Sequence, residues 1–245
     1  MAAVIAHRGA SSAAQENTVE AFRLAAAVGS DAVELDVRRT ADGVLVVHHD
    51  PYLPAPASLL VADTVAADLP VHIPDLHTAL DACEGMWVNV EIKNDPDEPD
   101  FDPTDSIADQ TIAALSQRGE DDRWLVSSFR IETIDRCRSL APSIRTAWLV
   151  GEVPDDVIAT MVSRGHAALH PWVGTLHRSH IDVCHGAGIV VNTWTCDEPL
   201  RMAELIEWGI DGICTNVPDV AIGVITRLGE ARSASAAIHG RNVDG

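Results

Sequence analysis

Residues 32–37 read Ala-Val-Glu-Leu-Asp-Val, and residues 88–93 read Val-Asn-Val-Glu-Ile-Lys. Both segments alternate. A period of two puts Glu34 and Asp36 on one face of the first, and Asn89, Glu91 and Lys93 on one face of the second, with the apolar residues opposite. Glu34, Asp36 and Glu91 converging from two strands are costly to bury unless a cation compensates them. Lys93 can supply one positive charge, a hard divalent metal ion two. Lys93 is also the only lysine among 17 Lys and Arg residues. A compact ammonium on a flexible stem suits a phosphate oxygen or a salt-bridged interior.

Two histidines belong with these charges. Only Thr40-Ala41-Asp42-Gly43 separates residues 32–39 from the β-rich run Val44–His49. That link is too short for a parallel crossover, and Asp-Gly is a hairpin signal, so the run folds back antiparallel. A turn centred on Ala41-Asp42 sets His49 opposite Glu34; one centred on Asp42-Gly43 sets it opposite Asp36. In either register His48 points away and is structural. At the first strand, Ile5-Ala6-His7-Arg8-Gly9 ends in an imidazole, a guanidinium fork and a glycine that permits close approach.

The elements that must carry these groups alternate from end to end. Strands are expected at Val4–His7, Ala32–Arg38, Val44–His49, Trp87–Lys93, Trp124–Phe129, Thr146–Val150, Ala168–His170, Ile189–Thr195 and Gly212–Thr215. Amphipathic helical stretches such as Thr18–Val28, Ser106–Arg118, Ile131–Ser139 and Pro199–Trp208 lie between them. With the hairpin strand set aside, eight parallel strands remain, which predicts a (β/α)8 TIM barrel with an antiparallel hairpin strand after the second barrel strand. A doubly wound sheet is the competing architecture, but no Gly-x-Gly-x-x-Gly follows the first strand. One domain over 1–230 is expected, with a flexible tail over 231–245. Pro51–Pro74 reads as a loop excursion and the acidic run Asp95–Asp105 as a solvated loop.

Composition narrows the function. The 245 residues are 47% hydrophobic and 22% charged, enough for one large core. The formal net charge of −20 argues against nucleic acid, whose binding needs a basic face, and against stable residence on an anionic membrane. Five scattered cysteines form no metal or redox motif and read as buried thiols. With no basic leader and no apolar run near the length of a membrane span, a cytoplasmic protein is expected. Nothing in the sequence sets the oligomeric state.

The motifs in order are His7-Arg8-Gly9, Glu16-Asn17-Thr18, Glu34-Leu35-Asp36, His49-Asp50 and Glu91-Ile92-Lys93, extended by Trp194-Thr195 and Gly209-Ile210-Asp211-Gly212-Ile213. This set resembles the glycerophosphodiester phosphodiesterases over nearly the whole chain. The resemblance implies a (β/α)8 barrel that hydrolyses a small-molecule glycerophosphodiester to sn-glycerol 3-phosphate and an alcohol. It implies that Glu34, Asp36 and Glu91 bind one divalent cation, Mg or Ca, that His7 and His49 are the acid/base pair, and that Arg8 and Lys93 meet the phosphate. Glu16 and Asn17 would line or brace the site, Glu16 either as a metal ligand or as an anchor for Arg8. It further implies that the glycerol 2-hydroxyl attacks first and that water then opens a cyclic phosphate. Two departures stand out. Pro51-Tyr52-Leu53-Pro54 replaces the family's usual Leu and Arg-Thr-Thr-like segment, and Thr215-Asn216-Val217-Pro218 replaces Thr-Asp-x-Pro.

The chemistry fits those groups. A phosphodiester needs its charge screened, a hydroxyl deprotonated and its leaving oxygen protonated. Trp194, ending its strand at the same rim, offers an apolar wall for the glycerol or head group. Because the overall field repels anions, water-soluble deacylated diesters with a cationic head group are the expected substrates. Three rival readings remain at this point: a phospholipase D-like lyase giving cyclic phosphate, a barrel aldolase using Lys93 as Schiff-base nucleophile, and a non-catalytic sensor.

Overall fold

A computed structural model describes residues 1–54 and 59–240. Among the described residues nine strands form one sheet. In chain order they are β1 Ala3–His7, β2 Ala32–Arg39, β3 Leu45–Val47, β4 Trp87–Ile92, β5 Trp124–Ser128, β6 Arg145–Val150, β7 Ala168–Pro171, β8 Val190–Thr193 and β9 Gly212–Thr215. The order β1-β9-β8-β7-β6-β5-β4-β2, closed by a β1–β2 pairing, makes a parallel eight-stranded barrel, and β3 is bonded antiparallel to β2 outside the ring. The architecture read from the sequence is the one observed.

The helices are α1 Val19–Val28, α2 Leu76–Ala82, α3 Ser106–Arg118, α4 Ile131–Leu140, α5 Val157–Arg164, α6 Arg178–Gly186, α7 Pro199–Glu207 and α8 Pro218–Gly240. The last runs through much of the segment expected as a tail; residues 241–245 of that segment lie outside the described residues. Local chemistry sets the first helix: the Thr18 hydroxyl accepts from the Ala21 amide, and Gly29 closes the helix in the left-handed region.

Pleating sorts the strand residues as alternation requires. Val33, Leu35 and Val37 pack with Leu76, Leu80, Ile112 and Leu115 in the layer between sheet and helices. Burying such branched side chains is worth roughly 1.5–3 kcal/mol each. That outward apolar face turns Glu34 and Asp36 into the barrel. Lower down, Trp87 sits between Ile5, Ala32 and Cys214 on one side and Leu125, Ala147 and Ala168 on the other, filling the interior beneath the charges.

The hairpin departs from both expected registers. Val37 pairs with Val47, Arg38 with Val46 and Arg39 with Leu45. The turn is a three-residue loop centred on Asp42: the Thr40 amide donates to the Val44 carbonyl, the Gly43 amide donates to the Thr40 carbonyl, and Gly43 adopts φ 83°. A type I turn followed by a left-handed glycine adds one residue to the two-residue loop assumed from Asp-Gly. The His48 amide therefore donates to the Asp36 carbonyl, and His49 lies one position beyond.

The acidic run is also more ordered than a solvated loop. Arg38, fully buried inside the hairpin, pairs with Glu98 and Asp100, while Arg130 pairs with Asp105. Asn94 donates to the Asp105 carboxylate and accepts from the Asp102 amide. Buried guanidinium groups need carboxylates, and 95–105 supplies them. The Pro51–Pro74 excursion packs Leu53, Val61 and Ile73 against Val46 of β3 in a small apolar cluster, with 55–58 outside the described residues.

Candidate active site

The C-terminal ends of β1, β2 and β4 meet at one side of the barrel mouth, where (β/α)8 enzymes carry their chemistry. Glu34, Asp36 and Glu91 are all buried, and one oxygen of each lies within 4.8 Å of the others. Register explains the convergence: β2 and β4 pair in parallel with Asp36 beside Glu91 and Glu34 beside Asn89.

Each carboxylate is held differently. Asp36 accepts from Asn17 Nδ2 at 2.7 Å and pairs with Arg8 Nε at 3.2 Å and Lys93 Nζ at 3.0 Å. Lys93 and Arg8 hold its carboxyl far below the usual range despite its burial. Glu91 takes the other bond from Lys93 Nζ, at 2.5 Å, yet burial still pushes its carboxyl up. Glu34 accepts the Arg8 amide on Oε2 at 3.0 Å, but its buried Oε1 has no hydrogen-bond partner among the described residues. Burial, then Asp36, then Glu91, push the Glu34 carboxyl well above its ordinary value. The donor set and its orphaned oxygen fit a hard divalent cation, which prefers carboxylate oxygens and would restore Glu34 to its anionic form.

The His7-Arg8-Gly9 turn is built for this position. Arg8 has φ 55° and Gly9 φ 85°; a Cβ on Gly9 would come within 2.6 Å of Ala21. The sharp turn packs against α1 and aims the Arg8 amide at Glu34. Asn17, also left-handed at φ 56°, donates its amide to the Arg8 carbonyl and its side chain to Asp36. Glu16 takes Arg8 Nη1 at 2.9 Å, so it anchors the guanidinium and stands outside the carboxylate cluster.

The two histidines come from different elements, His7 from the end of β1 and His49 from beyond β3. His7 Nε2 is 3.9 Å from Glu34, and its Nδ1 is 2.7 Å from Asn216 Oδ1. Asn216 Nδ2 donates to Asp197 at 2.7 Å. A carboxylate only accepts, so the amide orientation is fixed: Oδ1 faces His7, His7 carries its proton on Nδ1, and Nε2 offers a lone pair. Burial, followed by Arg8, lowers the His7 pKa. His49 stands at the end of the hairpin, where its charge bears on Asp36 and Glu91. Its Nδ1 lies 2.8 Å from Asp50, and its carbonyl accepts from Arg38 at 2.8 and 2.6 Å. His48 instead turns to the Tyr52 carbonyl.

Lys93 is held as an ammonium by two carboxylates, which raise its pKa. A Schiff-base nucleophile requires the opposite, so the aldolase reading loses its physical basis. All five cysteines are free and buried. No helix among the described residues is long and apolar enough to cross a membrane.

Across the mouth the character changes. Trp194 donates to the His170 carbonyl at 2.8 Å and meets Phe129 edge to face at 5.4 Å. Phe129 and Trp172, at the ends of β5 and β7, are 39% and 46% exposed. Beneath Trp194 a pocket reaches from His7, Glu34 and Glu91 down to Asn89, His170 and Asn192. Residue types give Asn89, Asn192 and Asp197 no role, and give His170, at a strand end before Pro171, at most a place in the pocket lining. The one available signal was strand parity, which sets Asn192 on the face of Trp194 and Asn89 on the face of Glu91.

Comparison with known proteins agrees with this arrangement. Residues 7–220 match the model of the glycerophosphoryl diester phosphodiesterase family. The chain is 27% identical over 249 residues to a glycerophosphodiester phosphodiesterase of Caldanaerobacter subterraneus, covering 92% of this chain and 98% of that one. It is 28% identical to one from Bacillus altitudinis, with 91% and 98% covered. It superposes with a TM-score of 0.80 and 26% identity on a phosphodiesterase of Oleispira antarctica in complex with the product sn-glycerol-3-phosphate, covering 91% of this chain and 96% of that one.

Proposed function

The chain belongs to the glycerophosphoryl diester phosphodiesterase family, and from that premise we propose that it hydrolyses water-soluble glycerophosphodiesters to sn-glycerol 3-phosphate and an alcohol, using one divalent cation, magnesium or calcium. The enzyme class, a phosphoric diester hydrolase, follows from the family itself. The observation that carries the finer reading is the buried triad Glu34, Asp36 and Glu91, with Glu34 Oε1 lacking a hydrogen-bond partner among the described residues, beside two cationic side chains and His7.

In this reading Glu34, Asp36 and Glu91 would hold the cation, and the chemistry it would supply there is screening of the phosphate charge and a lowered pKa for a nearby hydroxyl. Arg8 donates from Nη1 to Glu16, and its Nε stands 3.2 Å from Asp36 as an ion pair without a hydrogen bond, so Nη2 is the donor that would meet a phosphate oxygen. Lys93 gives two of its three N–H bonds to Asp36 and Glu91 and keeps the third for the same phosphate. Both cations are already oriented by carboxylates, so charge developing in the transition state meets preorganised donors. His7 takes the hydroxyl proton on Nε2, because its Nδ1 proton is committed to Asn216. His49, its Nδ1 engaged by Asp50, has Nε2 left to protonate the departing oxygen. Each such proton transfer is worth ~10²–10⁴-fold. Trp194 and Phe129 border the opposite side as an apolar wall.

The acidic surface favours diesters whose head group carries a positive charge, such as choline or ethanolamine. The test is product analysis across a panel: glycerophosphocholine, glycerophosphoethanolamine, glycerophosphoglycerol and lysophosphatidylcholine vesicles, with Mg, Ca or Mn after chelation. Open sn-glycerol 3-phosphate from the soluble choline and ethanolamine diesters supports the reading. Cyclic phosphate as the end product, or faster turnover of the vesicles, overturns it.

A further inference from the structure

Opposite the phosphate side, the rim of the barrel mouth is aromatic and acidic. Phe129, Trp172 and Trp194 directly follow the last residues of β5, β7 and β8. Strand parity sets all three facing inward, two residues beyond Ser127, His170 and Asn192. Trp194 lines the pocket that holds His7 and Glu34, and Phe129 meets it edge to face at 5.4 Å. Strands β7 and β8 stay bonded up to the rim: the Trp194 amide donates to the Pro171 carbonyl and the Val173 amide to the Trp194 carbonyl, so the two indoles spring from neighbouring positions. Gly174, where any Cβ would come within 2.5 Å of the Trp172 ring, lets that indole lie against the backbone. Phe129 and Trp172 are nonetheless exposed, and exposed rings gathered on one rim mark a binding surface. The charge around them has one sign. Segments 151–156, 172–177 and 194–198, which follow β6, β7 and β8, contain Glu152, Asp155, Asp156, Asp197 and Glu198 and no Lys or Arg. Glu152, Asp155 and Glu198 are exposed and form no ion pair among the described residues. Arg8 and Lys93 stand on the other side, at the ends of β1 and β4.

We propose that Phe129, Trp172 and Trp194 form a receptor for the trimethylammonium group of a choline leaving alcohol, which makes this chain selective for glycerophosphocholine over diesters of ethanolamine or of neutral alcohols; the proposal rests on the hydrolase reading above. A quaternary ammonium is positive overall and apolar on its surface, and aromatic faces attract both features. A primary ammonium carries three N–H donors, which ring faces leave without proper acceptors. The acidic segments draw any cationic head group toward the rim. Field and rings therefore act differently: the carboxylates favour choline and ethanolamine alike, and the rings favour choline. Trp194 belongs to both the rim and the catalytic pocket, which keeps the head group continuous with the phosphate position.

The experiment measures kcat/KM of the cation-loaded full chain for glycerophosphocholine, glycerophosphoethanolamine and the 3,3-dimethylbutyl diester, in which carbon replaces the choline nitrogen. Glycerophosphocholine is expected to lead both by about 10-fold, the scale of a cation held on desolvated aromatic rings. Trp172→Leu and Phe129→Leu should each bring the choline-to-ethanolamine ratio to within ~3-fold. A ratio near one in the unaltered protein, a ratio that both variants preserve, or equal turnover of the choline diester and its carbon isostere overturns the receptor. A crystal structure with choline bound needs no variant: the ammonium against these rings supports the proposal, and binding elsewhere refutes it. Failure to hydrolyse any of the three diesters would instead remove the hydrolase reading, whereas equal turnover of all three removes the receptor alone.

Discussion

His7 Nδ1 and Asn216 Oδ1, 2.7 Å apart, join the first and last strands of the barrel through one hydrogen bond whose direction is fixed by Asp197. The family's carboxylate at this position is replaced here by an amide, and Asp197 supplies a carboxylate one bond further out. Asn216→Leu should free the imidazole to adopt the other tautomer, lowering kcat ~10-fold or more with little change in KM. Asn216→Asp would put a second carboxylate against Asp197 and a negative charge on His7. Negative charge favours the imidazolium, so the acidic limb of the kcat/KM profile should move up by about one pH unit. A profile that does not move contradicts the assignment of His7 as base.

Asn17 braces Asp36 while holding a left-handed backbone. Asn17→Ala removes the amide from a buried carboxylate and strains φ, so it should cost about 1–3 kcal/mol of stability. Asn17→Asp sets a second anion against Asp36 and should cost more. Urea denaturation midpoints rank the two, and equal values would show that Asn17 does not act through Asp36.

The acid cluster makes stability depend on pH and on cation together. Burial and its two anionic neighbours raise the Glu34 carboxyl in the folded chain. A raised folded pKa gives stability that is full below the unfolded value near 4.5 and is lost as pH rises through the folded value. A bound divalent cation compensates the charge and cancels that loss. Calcium or magnesium at 100 times Kd adds about 2.7 kcal/mol by mass action. Because fewer protons compete for Glu34 at higher pH, the cation-induced rise in Tm should be larger at pH 8 than at pH 5. Scanning calorimetry at both values decides it; an equal or reversed shift means that Glu34 is not a ligand.

Arg38 links the acidic loop to the hairpin that carries His49. Its guanidinium is fully buried between Glu98, Asp100 and the His49 carbonyl. Arg38→Met leaves two carboxylates and a carbonyl unsatisfied and should cost roughly 3–5 kcal/mol. Asp100→Asn keeps a hydrogen-bond acceptor and should cost less. If Arg38 positions His49, kcat in the folded Asp100→Asn protein should fall while KM holds; unchanged kcat would confine Arg38 to stability.

How much of this was legible follows from what alternation encodes. A period of two in Glu34-Leu35-Asp36 and Asn89-Val90-Glu91 gave the inward faces directly, and a four-residue link gave the antiparallel return. The register of that return was not readable, because Asp42-Gly43 closes either a two-residue or a three-residue loop with Gly43 left-handed in both. What distinguishes them is the Thr40 amide donating to the Val44 carbonyl, with Asp42 outside the left-handed region. Arg38 looked like one arginine among 16; its burial depends on carboxylates 60 residues away folding over it. Asn192 and His170 were single polar residues in short strands, and only barrel closure, with Gly212 leaving room, brings them under the catalytic groups. The chain announces groups that repeat within a strand. It hides those that become a site only when distant strands close.

The most direct test of the central claim is turnover of glycerophosphocholine by chelator-stripped protein as Mg or Ca is titrated back. Activity should be absent at the start, rise with the ion and saturate at one bound cation per chain, and Glu34→Gln should fail to recover at the same concentrations. Full turnover in excess chelator, or recovery by Glu34→Gln equal to that of the unaltered chain, would contradict a cation held by Glu34, Asp36 and Glu91.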